Sequence, residues 1–149
     1  SLVGSEMCIR DSYNGDTRDA FLSDYALYYH PHIDAEYLNA EAKAFLGKHD
    51  FSGFCSIKSD VEDTVRTVKN FEVYRDGDTV IFKVEADGFL YNMVRIMIGT
   101  LLFVNEGKIK SGELADVINS KSRKRAGKTA PPQGLYLNKV NYGDIQNAD

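Results

Sequence analysis

Sulfur and imidazole are scarce in this 149-residue chain: there are two cysteines and three histidines. Cys8 lies in a segment set apart below, which leaves Cys55 alone, so neither a disulfide framework nor a cysteine metal cluster is expected. His30 and His32 flank Pro31 in a loop with too few ligands for a metal site, and none is expected there. Such cysteine usage fits a reducing cytoplasm. The first residues show neither the basic start nor the apolar run of a secretory leader. The most apolar stretch, Leu90–Val104, is broken by Asn92, Arg95 and Gly99 and is too short to span a membrane comfortably. Low-complexity runs, internal repeats and a linker are all missing. The 43% apolar content is that of a globular chain.

Residues 1–12, Ser1-Leu2-Val3-Gly4-Ser5-Glu6-Met7-Cys8-Ile9-Arg10-Asp11-Ser12, read as an in-frame translation of a common transposon-based sequencing adapter. They are expected to be adapter-derived and are excluded from fold reasoning, leaving residues 13–149 as the protein segment. About 137 residues suffice for one domain with a proper core.

The charge is uneven. Residues 1–63 hold 12 acids and 5 bases, while residues 64–149 hold 13 bases and 10 acids. Within 108–128, Lys108, Lys110, Lys121, Arg123, Lys124, Arg125 and Lys128 stand against Glu113 and Asp116 alone. The overall charge of −4 argues against nucleic acid, yet a local cluster of this density is the electrostatic footprint that phosphate binding needs. On composition alone a solvated charged loop is the competing reading.

Local patterns give an α+β outline. Asp34 is placed to cap a helix running to about Leu46, with Tyr37, Leu38, Ala42, Phe45 and Leu46 at helical spacing and Gly47 as its stop. Residues 65–75 are rich in β-branched and aromatic types, and Arg75-Asp76-Gly77-Asp78 signals a hairpin. In 79–87, Val80, Phe82, Val84 and Ala86 alternate with polar or outward positions, as in a half-buried strand. Ser111 is expected to cap a short helix to about Asn119, and Leu135–Tyr142 to form a last strand. The expected architecture is an antiparallel or mixed sheet with helices packed on one face.

Between them lies the most informative stretch. Leu90, Met93, Val94, Met97, Ile98, Leu101 and Val104 make one apolar stripe at helical spacing. Arg95 falls at its border and is the only charge between Asp87 and Glu106. A cation there is costly unless something negative meets it, either a structural carboxylate or a functional group.

The wording around Arg95 resembles a known family. Gly88-Phe89-Leu90-Tyr91-Asn92-Met93-Val94-Arg95-Ile96-Met97-Ile98-Gly99 resembles the signature helix of the tRNA pseudouridine synthase I family. Three more blocks agree in order and spacing. Leu46-Gly47-Lys48-His49-Asp50-Phe51-Ser52-Gly53-Phe54 is similar to its Gly-x-His-Asp-Phe segment. Arg123-Lys124-Arg125-Ala126-Gly127-Lys128-Thr129-Ala130-Pro131-Pro132 resembles its Arg-x-x-Ala-Gly-x-Thr-Ala-Pro loop, and Gly134-Leu135-Tyr136-Leu137 its closing strand. One departure is Ile96, where the family usually carries Asn.

The resemblance implies isomerisation of uridine to pseudouridine in the tRNA anticodon arm, with no cofactor, and pairing into a homodimer. Arg95 would pair with the catalytic carboxylate, and Leu135 or Leu137 would lie against the target uracil, although both leucines also suit an ordinary core strand. Arg123, Lys124, Arg125 and Lys128 would contact phosphates. His49, Asp50 and Phe51 match a family segment, and a structural turn is expected of them. Tyr91, Met93 and Phe89 are expected in the core rather than stacked on bases. The family's nucleophile is an Asp in Gly-Arg-Thr-Asp-Ala-Gly, and no such motif is present. In Gly15-Asp16-Thr17-Arg18-Asp19-Ala20-Phe21, Arg18 separates Thr17 from Asp19. Residues 13–149 are therefore expected to be the C-terminal part of such an enzyme, lacking its catalytic half and inactive alone. Two other classes stay open: a non-catalytic RNA-binding module, and an interaction domain using the Met-rich helix as a dimer face.

Overall fold

The computed structural model describes residues 5–13, 27–28, 32–56, 63–76, 79–131 and 135–140. Strand β4 (Val65–Asp76) pairs with β5 (Thr79–Ala86), antiparallel as the alternating pattern and the turn signal require. In β5, Val80, Phe82, Val84 and Ala86 are buried and their neighbours are half-buried. In β4 the register slips between Val68 and Asn70. Lys69 is the extra residue of this bulge, and it brings Val68 onto the same inner face as Phe71 and Val73.

On its far edge β4 pairs with β3 (Gly47–Asp50). On the other side, β5 pairs with β1 (Ser5–Tyr13), which in turn pairs antiparallel with β6 (Leu135–Val140) and parallel with the short β2 (Leu27–Tyr28). The sheet is thus mixed and six-stranded. Residues 5–12 form most of β1. The ladder uses backbone donors and acceptors that every non-proline residue carries, so almost any extended segment can satisfy it.

Helix α1 (Ala35–Ala42) starts where Asp34 accepts the Tyr37 amide at 3.1 Å. It tightens into a 3-10 turn at Lys43–Phe45 and ends before Gly47, whose φ of +97° suits glycine. The Asn39 side chain accepts the Val73 amide at 2.9 Å, and Lys43 donates to the Phe71 carbonyl, which pins α1 to β4. Beneath this seam Phe45 stacks on Phe71 at 5.3 Å and meets Phe54 edge-on at 5.5 Å.

Helix α2 (Met93–Asn105) packs on α1. Every member of the expected stripe is buried, and Ile96, Gly99, Thr100 and Leu102 are buried too. The helix is enclosed on nearly all sides, so its methionines offer no dimer face. Ile96 itself is a core residue at 1% exposure.

Two local expectations need correction. The first is the start of helix α3 (Leu114–Ser120), which is not capped by Ser111, whose hydroxyl instead donates to Glu41. Gly112 turns the chain at φ +84°, so the helix follows Glu113, whose carboxylate accepts the Lys110 amide. The second is Tyr91, which is not core but 63% exposed, because the helix starts at Met93 and its period does not extend back to position 91. Met93 is fully buried and Phe89 half-buried against the core, as expected.

Candidate functional site

The helix entrance sets the position of Arg95. Asn92 caps α2 with φ +61°, a left-handed conformation that asparagine tolerates better than most residues. From there its amide oxygen accepts Arg95 Nη1 at 3.1 Å. Arg95 Nε donates to the Ala130 carbonyl at 2.7 Å, and the Ala130 amide returns a bond to the Arg95 carbonyl at 3.0 Å. Two of the three guanidinium nitrogens are thereby engaged. Arg95 is half-buried, and no carboxylate among the described residues meets it. Its remaining donors are left for an acceptor from elsewhere.

Ala130 belongs to the loop that follows α3. The loop is seated on α2 through backbone rather than side chains. A Cβ added at Gly99 would fall on the Lys128 carbonyl, and one at Gly127 on the Gly99 carbonyl. Only glycine permits this approach at either position. Beside it Thr100, a fully buried polar residue, accepts the Gly127 amide at 2.8 Å and donates to the Ile96 carbonyl at 2.7 Å. Both hydroxyl functions are satisfied, as burial demands.

The cations of the loop divide into two kinds. Lys124, Arg125 and Lys128 are exposed. Lys124 and Lys128 have no partner among the described residues, and Arg125 makes only a long contact to the Asp116 carbonyl, 3.5 Å. Arg123 is half-buried and turns inward, donating to the Gly127 carbonyl at 2.7 Å and to the Thr129 hydroxyl at 3.0 Å.

His49 and Asp50 close strand β3 and Phe51 leads into a 3-10 turn at Ser52–Phe54, so the turn expected at these three residues instead follows them. His49 Nε2 bonds the Leu46 carbonyl at 2.8 Å and its ring meets Phe51 edge-on. Asp50 accepts the Thr64 hydroxyl at 2.6 Å and the Ser52 amide at 3.0 Å, and lies 3.8 Å from the Lys121 ammonium. The Thr64 hydroxyl bond, with help from Ser52 and Lys121, holds the Asp50 carboxyl below the usual aspartate range despite partial burial. The turn touches the basic loop directly, since Gly53 packs against the Lys121–Ser122 backbone.

The remaining expected site residues are not all brought together here. Leu135 pairs with Arg10 and Leu137 with Cys8 in the ladder between β6 and β1. Asp19 and His30 lie outside the described residues, and His32 is exposed, its carbonyl bonded to Asn105. Sequence reasoning missed Asn92 and Thr100. Both carried a signal: a side-chain acceptor three residues before a lone arginine, and a single hydroxyl inside an apolar helix, which burial obliges to find a partner.

Among the described residues no helix is long and apolar enough to cross a membrane. A family model described as tRNA pseudouridine synthase matches residues 42–143, which include the turn, α2, the loop and β6. The tRNA pseudouridine synthase A of Halalkalibacterium halodurans is 43% identical over 131 residues, covering 87% of this chain and 50% of that protein. Its namesake from Geobacillus sp. (strain WCH70) is 45% identical over 125 residues, 84% of this chain and 50% of that protein. That of Acetivibrio thermocellus is 44% identical over 130 residues, 87% and 53%. The chain spans about half the length of these curated relatives. With its helix, loop and turn all inside the matched region, the chain belongs to the tRNA pseudouridine synthase family.

Proposed function

We propose that this chain carries the arginine side of the active site of an enzyme that isomerises uridine to pseudouridine in the tRNA anticodon arm. The reaction breaks the N-glycosidic bond of a flipped uridine, turns the base and rejoins it through carbon, which calls for a carboxylate nucleophile and no cofactor. The single observation behind this reading is Arg95: half-buried, held at Nη1 by Asn92 and at Nε by Ala130, and met by no carboxylate among the described residues. A guanidinium so held can keep an incoming carboxylate ionised and fix its orientation by paired hydrogen bonds.

In this reading the nucleophile comes from a segment that residues 13–149 do not contain, and residues 1–12 are adapter-derived. The chain alone is inactive, and the whole enzyme is a cytoplasmic homodimer. Leu135 or Leu137 lies against the uracil. Lys124, Arg125 and Lys128 contact phosphates, positioning the RNA without reading its sequence. Tyr91, exposed at the entrance to α2, is free to stack on a base.

The test is Arg95→Ala in the full-length enzyme carrying this chain. The single-turnover rate should fall on the order of a hundredfold, about 3 kcal/mol in the barrier, with a much smaller loss of tRNA affinity. Arg95→Lys should recover only part of the rate, because an ammonium cannot present the planar fork. Wild-type rate in Arg95→Ala, or equal loss of rate and affinity, would return Arg95 to a structural role.

A further inference from the structure

The basic loop and Arg95 are mechanically one object. Between Arg123 and Ala130 the chain is tied to α2 at Thr100, through the Gly127 amide, and at Arg95, through both backbone groups of Ala130. The Arg123 guanidinium closes the loop across this interval, bonding the Gly127 carbonyl at one tie point and the Thr129 hydroxyl one residue before the other. Its planar fork reaches both acceptors at once, whereas neither Lys124 nor Lys128 has a partner among the described residues.

A phosphate contact needs donors presented to solvent. A guanidinium donating inward to two loop groups does a different job: it sets the path of residues 127–129 and therefore the place of the Ala130 carbonyl, against which Arg95 Nε rests. Displacing a reacting partner by about 1 Å costs up to a hundredfold in rate, so a residue that never touches substrate can govern the chemistry. We infer that Arg123 is a positioning residue for Arg95, acting through the 127–130 segment, and not one of the phosphate contacts. This rests on the reading of Arg95 as the carboxylate's partner.

The experiment uses the full-length enzyme in four forms: Arg95→Ala, Arg123→Ala, the double variant, and Thr129→Val. Single-turnover rates are taken at saturating enzyme, and tRNA affinity is measured across a salt series. Arg123→Ala should slow turnover on the order of tenfold while leaving the salt slope of binding at its wild-type value. Thr129→Val should slow it in the same direction by less. The double variant should be no slower than Arg95→Ala alone, because a residue that acts only through Arg95 has nothing left to act on.

The inference is overturned if Arg123→Ala flattens the salt slope by about the amount expected of a single phosphate with its rate intact. Rate losses that multiply in the double variant also overturn it, since that is the mark of general damage. Should Arg123→Ala fail to fold, Arg123→Lys and Thr129→Val decide: Arg123→Lys keeps the charge but not the fork, so a slowed rate at wild-type salt slope supports positioning and an unchanged rate refutes it. Wild-type turnover in Arg95→Ala is a separate result that removes the reading of Arg95 itself.

Discussion

Helix α2 and the loop from Lys121 to Pro131 carry the two halves of the candidate site, and they are held in place by opposite means. The helix is positioned by burial: its stripe residues lie at 7% exposure or less. The loop has no regular secondary structure and few apolar side chains, with Ala126 and Ala130 its buried aliphatic ones. It is positioned by backbone contact, glycine on carbonyl and amide on hydroxyl, against the same helix. A greasy helix can survive many conservative substitutions because its driving force is diffuse. A loop seated on two glycines and a threonine cannot. That contrast can be broken or sharpened by substitution.

The largest effect is expected at the seat. Gly99→Ala introduces a methyl where the Lys128 carbonyl already lies, and the loop backbone must move. In the full-length enzyme thermal unfolding should report a loss of about 1–3 kcal/mol. Turnover should fall as well, because Ala130 moves with the loop. An unchanged melting temperature together with wild-type turnover would show that the loop does not depend on this contact.

A smaller loss is expected at the turn beneath the loop. Asp50→Ala removes the acceptor for the Thr64 hydroxyl and the Ser52 amide and should cost about 1 kcal/mol. Because the folded carboxyl titrates below its ordinary range, its stabilising contribution is present above the unfolded pKa, about 4. It is lost as the pH falls through the lower folded value. The gap in stability between wild type and Asp50→Ala should therefore narrow on acidification. A gap that stays constant from about pH 7 to about pH 3 would show that the charge of Asp50 contributes nothing.

Least of all should be felt by the fold when Lys124, Arg125 and Lys128 are replaced together by alanine, since exposed cations of this kind contribute within about 0.5 kcal/mol. Their effect belongs to binding. The slope of tRNA affinity against salt should flatten by a little under one unit for each phosphate no longer neutralised. A slope equal to wild type would leave the three as a solvated surface.

The sequence disclosed most where one physical rule dominates. The stripe of α2, the alternation in β5 and the Asp34 cap each follow from periodicity or a single side chain, and each is found in the structure. What it hid depends on partners distant in the chain. The bulge at Lys69 exists because Val68 and Phe71 both need the inner face, an odd spacing that alternation alone does not explain. The Ser111 assignment failed because Gly112 reverses the chain and Glu41 takes the hydroxyl. The inward turn of Arg123 was invisible among four neighbouring cations. Nothing in the local wording distinguishes a guanidinium that donates to its own loop from one that faces solvent. The placement of Arg95 at the border of an apolar helix was legible; the carbonyl and amide that hold it were not, since both come from Ala130, 35 residues on.

The tight seating of the loop also has an entropic consequence. Fixing a residue's backbone costs about 1–2 kcal/mol, and flexible basic segments meet that cost when they bind nucleic acid. Here residues 127–130 are ordered by α2 in the folded chain, so Lys128 is carried on a backbone whose freedom is already gone. A polyanion arriving at this surface encounters a template rather than a tether, and more of each phosphate contact remains available as affinity.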